Sequence, residues 1–337
     1  MPTTRAFFTS FRVPTLQSPH DTATLKVYYP ASPSNSDTER NTGQVPCDSE
    51  QAPFPVAIFL PGVNVEPSSY SWLAAQFAAL GIVTVIPWLI AEEMPGCVSL
   101  TPGIDIAALK PDTFGESPSA VLLPSLLQEL HALNTSGLLA GKLDLERLAL
   151  GGHSAGGTLA LINGRDTWLP GLRAMFSYGA HTGAATVLGW EPDTLLAPQA
   201  DIPVLLAGGD RDGCIAASGK RYGDGDGDGD NNINIDNSAL CSGRIEETFA
   251  RAVSDNQQKN WLCILRQANH FSVCHPVDTC TGRGFLDYPV ENPDEARQLL
   301  GEIFGAFLSV HLRDDTPENF SSIVQGQRTR MAIVCNK

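Results

Sequence analysis

Short runs rich in Val, Ile and Leu alternate along this chain with segments long enough to form helices. The short runs predict strands at 7–13, 24–29, 56–60, 82–87, 148–152, 174–178, 204–207 and 261–265. The longer segments predict helices at 69–80, 118–133, 155–163, 245–257 and 293–312. The first two strands are expected to be an antiparallel lead-in, whereas the others have the apolar density of parallel strands buried on both faces. The alternation therefore predicts an α/β fold with a mostly parallel central sheet covered by helices on both faces.

The loops between these elements carry no sign of a linker between two cores. We therefore expect a single domain over 1–312, with loop insertions at 31–53, 87–115 and 213–244, and a C-terminal tail at 313–337. The middle insertion is partly apolar. From the sequence it is either a lid over a pocket or ordinary packing under a long loop.

Charge and length exclude several classes of function. The chain has 22 Lys and Arg against 37 Asp and Glu, a net charge of -15, which repels phosphate backbones and argues against a nucleic-acid partner. No apolar run approaches the roughly 18 residues of a membrane span. The first ten residues lack the features of a secretory signal, so a cytoplasmic location with reduced cysteines is expected. The pair Cys274 and Cys280 stays an open alternative as a disulfide, and the oligomeric state is not indicated.

The strongest local motif is Gly-His-Ser-Ala-Gly at 152–156, between an apolar strand and a helical segment. A G-x-S-x-G sequence in this strand–turn–helix context presents its serine on a sharp turn above the sheet. The start of the following helix favours the negative charge that develops during nucleophilic attack. Ser154 is therefore the predicted nucleophile, and the alternative is a structural Gly/Ser turn.

A serine nucleophile needs a base, and the base needs an orienting acid. The strand at 202–207 runs into a loop with two carboxylates, Asp210 and Asp212, and the strand at 261–265 is followed by His270. Because open α/β sheets place their sites at the carboxyl ends of strands, both loops are expected at one edge. We predict Asp212 as the acid and His270 as the base, with Asp210 and His275 as the alternatives.

The tetrahedral intermediate also needs two N–H donors for its oxyanion. The predicted donors are the amides of Ala155, which follows the nucleophile, and of Val63, in the turn after the strand at 56–60. The alternative for Val63 is an ordinary strand-end turn. The residues expected to bind substrate, or to complete the pocket wall, are Asn64, His153, His181 and Phe271.

The segments 56–63, 68–73 and 81–86 resemble the polyester-hydrolase and cutinase-like branch of the α/β-hydrolases. That branch has a Pro-Gly-aromatic turn, a Ser-Ser…Trp-Leu helix and a Gly-Phe-Val-Val strand at similar spacing. Its Gly-His-Ser-x-Gly-Gly, Gly-x-Asp-x-Asp and Ser-His-Phe motifs look like 152–157, 208–212 and 269–271 here. Chlorophyllases and platelet-activating-factor acetylhydrolase-like enzymes share much of this pattern. The likeness covers roughly 55–271 in patches.

This resemblance implies an α/β-hydrolase fold and a Ser-His-Asp esterase. Two departures argue against polyester activity. Val63 stands where polyester hydrolases carry an aromatic clamp. The segment Ser-Tyr-Gly-Ala-His at 177–181 stands in place of the aromatic residue expected after the next strand.

An Asp/Gly run at 223–230 suggests calcium, because its acids recur at every second position as in calcium-binding loops. Asp226, Asp228 and Asp230 would be the ligands. Position 12 of such a loop is Asn237 rather than Glu, so a flexible acidic loop is the favoured alternative. No nucleotide fingerprint is present, and no cofactor is expected for the main reaction.

These observations predict a metal-independent serine hydrolase that cleaves carboxylic esters through an acyl-enzyme. The first alternative is a chlorophyllase-like or lipid-ester hydrolase, or an acyltransferase. The second is a non-catalytic binding protein on the same fold.

Overall fold

The computed structural model describes residues 3–32, 45–94, 96–222, 241–257, 259–278 and 287–337. Within them the strands are β1 (Thr3–Arg12), β2 (Thr22–Ala31), β3 (Phe54–Leu60), β4 (Val83–Met94), β5 (Cys97–Thr101), β6 (Leu143–His153), β7 (Leu172–Tyr178), β8 (Val204–Gly209), β9 (Trp261–Leu265) and β10 (Met331–Asn336). The α-helices are α1 (Ser71–Ala79), α2 (Leu123–Thr135), α3 (Ala155–Asn163), α4 (Gly213–Tyr222), α5 (Gly243–Glu247), α6 (Pro293–Leu312) and α7 (Pro317–Gly326). A π-helical turn, Thr248–Ala252, continues α5.

The strands form one sheet in the order β1-β2-β4-β3-β6-β7-β8-β9-β10, with β5 paired to the outer part of β4. The six strands from β4 to β9 in this order pair in parallel. The edges are antiparallel, with β1 and β2 on one side and β10 on the other. The predicted α/β class and mostly parallel sheet are confirmed.

Both faces of the sheet are buried, as the apolar density of its strands predicts. In β3, Val56, Ile58 and Leu60 face one apolar core, to which α2 and α3 contribute. The alternate residues Ala57 and Phe59 face the other, against α1 and α6. Because successive side chains of a strand point to opposite faces, a strand covered on both sides must be apolar throughout.

The predicted insertion at 87–115 contains an extension of the sheet. β4 continues to Met94, beyond the predicted end at residue 87, and turns back into β5 as an antiparallel hairpin. Ile90 and Val98 on this hairpin are 50% and 58% exposed. The hairpin lies beside the turn that follows β3, since Asn64 and Leu100 exchange two hydrogen bonds of 2.8 and 3.1 Å.

Residues 313–337 are part of the sheet and its covering layer. The sequence after Leu312 shows no clear period, yet α7 packs against α6 and β10 pairs with β9. Phe320 and Val324 of α7 are buried in the same core as Phe307 of α6. The segment thus completes one edge of the fold.

Some predictions fall outside the described residues. Asp226, Asp228 and Asp230 of the calcium hypothesis do so, as does Cys280 of the conceivable disulfide. Among the helices that the structure describes, none is long and apolar enough to cross a bilayer.

Candidate active site

Ser154 occupies the turn between β6 and α3 in a backbone conformation that side chains rarely adopt. Its φ and ψ are 54° and -126°, with φ in the region that favours glycine. Its N–H donates to the carbonyl of Tyr178 at 3.0 Å, and its carbonyl accepts from the N–H of Thr158 at 2.9 Å. The strained turn is therefore held from both the neighbouring strand and the helix.

The glycines of the motif allow the turn to lie against β3. A Cβ at Gly156 would collide with the carbonyl oxygens of Leu60 and Pro61. A Cβ at Gly62, in the turn after β3, would lie 3.4 Å from the Cβ of Ser154. The predicted oxyanion turn and the serine are thus direct neighbours.

His270 and Asp212 form a buried pair. Nδ1 of His270 lies 2.9 Å from Oδ2 of Asp212, and Asp212 is fully buried. The other carboxylate oxygen of Asp212 accepts from the N–H of Ile215 at 2.8 Å, at the start of α4. An acceptor on Nδ1 keeps that proton in place, so Nε2 is the nitrogen that can accept one.

The alternatives to this pair lie elsewhere. Burial raises the pKa of Asp210, and the nearby backbone of Gln267 and Ala268 offsets part of that rise. His275, the alternative base, is exposed to solvent. The structure brings Asp212, rather than Asp210, to the imidazole of His270.

Gly179 packs directly against this pair, a feature that the sequence analysis missed. Its φ is +58°, and a Cβ built there would lie 2.9 Å from Nδ1 of His270 and 3.1 Å from Oδ2 of Asp212. Only glycine combines this backbone conformation with so close an approach. The signal in the sequence was a lone glycine directly after a predicted strand.

A cavity of about 530 Å³ opens beside Ser154 and His270. Val63 and Ala155, the predicted amide donors, line it, and so do the predicted substrate-binding residues. The remaining wall is mixed, with Thr158 and Ser218 beside Val65 and Ile215. The predicted residues thus converge on one cavity.

The two predicted substrate-binding histidines, His153 and His181, are uncharged near neutral pH. Burial, with a smaller contribution from Arg244, lowers the pKa of His181 to about 4. Nδ1 of His181 accepts from the N–H of Gly183 at 3.0 Å. Burial also lowers the pKa of His153 well below its usual value.

His153 belongs to a chain of hydrogen bonds beneath the site. Its Nε2 lies 2.9 Å from the carbonyl oxygen of His270, so Nε2 carries the proton and donates it. Its Nδ1 must then accept from the hydroxyl of Tyr70, at 2.8 Å, and that hydroxyl accepts from the N–H of Gly62 at 3.0 Å. The chain connects the backbone of the histidine loop to the predicted oxyanion turn. Tyr70, like Gly179, was not singled out by the sequence analysis.

Asp287 is a further residue without a local sequence signal. It lies 17 positions beyond His270, and its carboxylate accepts N–H bonds from the backbone of His270 and Phe271. No motif marks it, because its partners come together only in the folded chain.

One group of side chains could hold a metal ion. Asp212, Cys214 and His270 place a carboxylate oxygen, a sulfur and an imidazole nitrogen within 4.8 Å of one another. These ligand types suit zinc. Two of the three, Asp212 and His270, already hydrogen-bond to each other.

Comparison with known proteins supports the fold. No protein-family model matches the sequence, and no curated protein matches it. Among solved structures, the chain is similar to a ferulic acid esterase from Streptomyces cinnamoneus, with a TM-score of 0.55 over 94% of this chain and 92% of that one. The chain has an α/β-hydrolase fold. At 14% identity the likeness carries the α/β-hydrolase architecture and not the substrate.

Proposed function

We propose that the protein is a serine hydrolase of carboxylic esters. The observation that carries this proposal is a buried His270–Asp212 pair on the same cavity as Ser154, a serine with strained backbone at the end of a central strand. A nucleophile, a base and an orienting acid are the three groups that acyl transfer to serine requires.

Each residue of this triad has a defined task. His270 takes the hydroxyl proton at Nε2 as Ser154 Oγ attacks the ester carbonyl. Asp212 holds the Nδ1 proton and stabilises the imidazolium that forms. The imidazolium then gives its proton to the leaving alcohol. Water, activated by the same imidazole, releases the acid from the acyl-enzyme.

The amides of Val63 and Ala155 are the proposed oxyanion donors. Both residues line the cavity beside Ser154, and the close approach of Gly62 to Ser154 supports the assignment. Two fixed N–H groups that point at the developing charge contribute much of the rate enhancement in acyl transfer.

The cavity favours an uncharged ester with a compact acyl group. Its volume of about 530 Å³ lies in the middle of the range for small-molecule sites. The net charge of -15 disfavours anionic substrates. Neutral His181 and the hydroxyls of Thr158 and Ser218 suit a polar substituent on the acyl chain, such as a phenol.

The test is hydrolysis of p-nitrophenyl esters from acetate to palmitate, with methyl ferulate as an aromatic probe. We expect turnover that falls with chain length and is lost, by a factor of about 10³ or more, in Ser154→Ala. Asp212→Asn should also lower turnover, because Asp212 holds the Nδ1 proton of His270. Asp210→Asn is its matched control, since both acids follow β8 but only Asp212 contacts the imidazole. Turnover that survives in Ser154→Ala would exclude the mechanism.

The same assay addresses the finer alternatives. A preference for long acyl chains would favour a lipid-ester or chlorophyllase-like hydrolase, and new esters formed with added alcohols would favour an acyltransferase. Absence of turnover with every ester, together with tight binding of one of them, would favour the non-catalytic binding protein.

A further inference from the structure

Asp287 binds backbone N–H groups from two separate loops. Its Oδ1 accepts from the N–H of His270 at 3.1 Å and from the N–H of Gly213 at 3.0 Å, and its Oδ2 accepts from the N–H of Phe271 at 3.1 Å. Gly213 directly follows Asp212. One carboxylate therefore joins the loop that carries the base to the loop that carries the acid.

The residue after Asp287 strengthens this connection. The carbonyl of Tyr288 accepts a hydrogen bond of 2.8 Å from the side-chain amide of Asn269, which precedes His270. The carbonyl of Asn269 accepts in turn from the hydroxyl of Tyr178 at 2.6 Å. Three consecutive residues, 269–271, are thus bonded through side chain or backbone to the pair 287–288.

The position of the Asp287 carboxylate is unfavourable in free energy because it is desolvated and lies near another acid, Asp212. Burial, with repulsion from Asp212, raises the pKa of Asp287 to about 6. A half-buried second carboxylate beside Asp212 is unfavourable unless its hydrogen bonds offset the desolvation. The three N–H bonds provide that compensation, because hydrogen bonds to a charged acceptor are the strong ones.

We propose that Asp287 is a positioning residue, a role that rests on the proposed function. By binding the backbone N–H groups of both loops, it fixes the imidazole of His270 against Asp212 and Ser154. Its carboxylate bonds to backbone N–H groups, and Asp287 is not among the residues that line the cavity. A carboxylate is suited to this task because it offers only acceptors, and its three partners are all donors. An amide in its place would direct an N–H against at least one of these donors.

The variants are Asp287→Asn and Asp287→Glu. We expect Asp287→Asn to lower kcat for a p-nitrophenyl ester by about 10- to 100-fold with little change in KM, because small errors in the placement of a catalytic group cost rate. Asp287→Glu keeps the charge and both acceptor oxygens, and should recover part of the loss. Asp105→Asn is the matched control, since Asp105 also accepts two backbone N–H groups, from Ala107 and Ala108, away from the cavity.

The pH profile separates positioning from simple loss of stability. In Asp287→Asn the acidic limb of kcat/KM should move to lower pH, because a nearby negative charge favours the protonated imidazole. The other titratable groups that face Asp287 are unchanged in this variant: Asp212, Tyr178, Cys241, Cys274 and Tyr288.

A second measurement does not depend on turnover. The proton on Nδ1 of His270, bonded to Asp212, should give a downfield NMR resonance in the wild type that shifts or broadens in Asp287→Asn and returns in Asp287→Glu. The proposal is overturned if Asp287→Asn melts earlier but keeps the wild-type kcat, acidic limb and Nδ1 resonance. Failure of the proposed function is a distinct result, in which wild-type turnover is absent or independent of Ser154.

Discussion

Gly179→Ala perturbs the proposed triad with a single methyl group. The added Cβ would lie 2.9 Å from Nδ1 of His270, whereas ordinary van der Waals contact begins at 3.4 Å. The ring must therefore move by about 0.5 Å, away from its bond to Asp212. The backbone cannot relieve the contact easily, because the N–H of Gly179 donates to the carbonyl of Ala207 at 2.9 Å.

Gly179→Ala should lower the free energy of unfolding for two reasons. An alanine at positive φ loses about 1–2 kcal/mol, and overpacking of a filled site adds about 1–3 kcal/mol. The total leaves a typical domain folded, since stabilities are about 5–15 kcal/mol. Displacement of the base by about half an ångström should lower kcat by about tenfold or more.

Gly141→Ala is the matched control for the backbone part of this cost. Gly141 has φ of +68° with nothing within 4 Å of the added Cβ, so it carries the strain without the clash. Urea unfolding should show Gly179→Ala to be the less stable variant by about 1–3 kcal/mol, and only Gly179→Ala should lose kcat. Equal stability of the two variants, with wild-type kcat in both, would refute the packing of Gly179 against the imidazole.

Two further expectations concern buried polar groups. Tyr70→Phe leaves the N–H of Gly62 and Nδ1 of His153 without partners; we expect a loss of about 2–4 kcal/mol in urea unfolding and a lower kcat, and wild-type values of both would contradict the hydrogen-bond chain. Burial lowers the pKa of His311 to about 4, so as pH falls below its usual 6.5 the unfolded chain takes up a proton first and stability drops. Between pH 6.5 and 5, His311→Gln should reduce that drop by about 1–2 kcal/mol; equal slopes in the wild type and the variant would count against a neutral His311 in the folded protein.

Local patterns were sufficient for the central elements of the fold. The helix at 155–163 and the helix at 293–312 begin and end where the structure places them. The strands at 56–60 and 261–265 are also recovered, because strands buried on both faces are apolar throughout. The antiparallel pair at one edge, β1 and β2, was also predicted. β10, the end of β4 and α7 were not, because β10 and the end of β4 pair on one side only and α7 buries just a narrow stripe.

The same division applies to the candidate site. Ser154, Asp212 and His270 each follow a recognisable strand, so their convergence could be predicted from the rule that sites lie at the carboxyl ends of strands. Gly179, Tyr70 and Asp287 could not, because their importance lies in contacts with residues distant in sequence. Which hydrogen-bond acceptor meets which amide is set by packing and has no periodic signature.

The hydrogen bonds between Asn64 and Leu100 have a consequence for protein engineering. They join the turn that bears Val63 to the β4–β5 hairpin in the way that paired hydrogen bonds join two strands of a sheet. Exchanging this hairpin for a different loop would remove both hydrogen bonds and, with them, a support of the turn whose Val63 and Asn64 line the cavity. Such grafts should therefore alter substrate selectivity and turnover number together, whereas a graft that keeps both bonds should disturb neither.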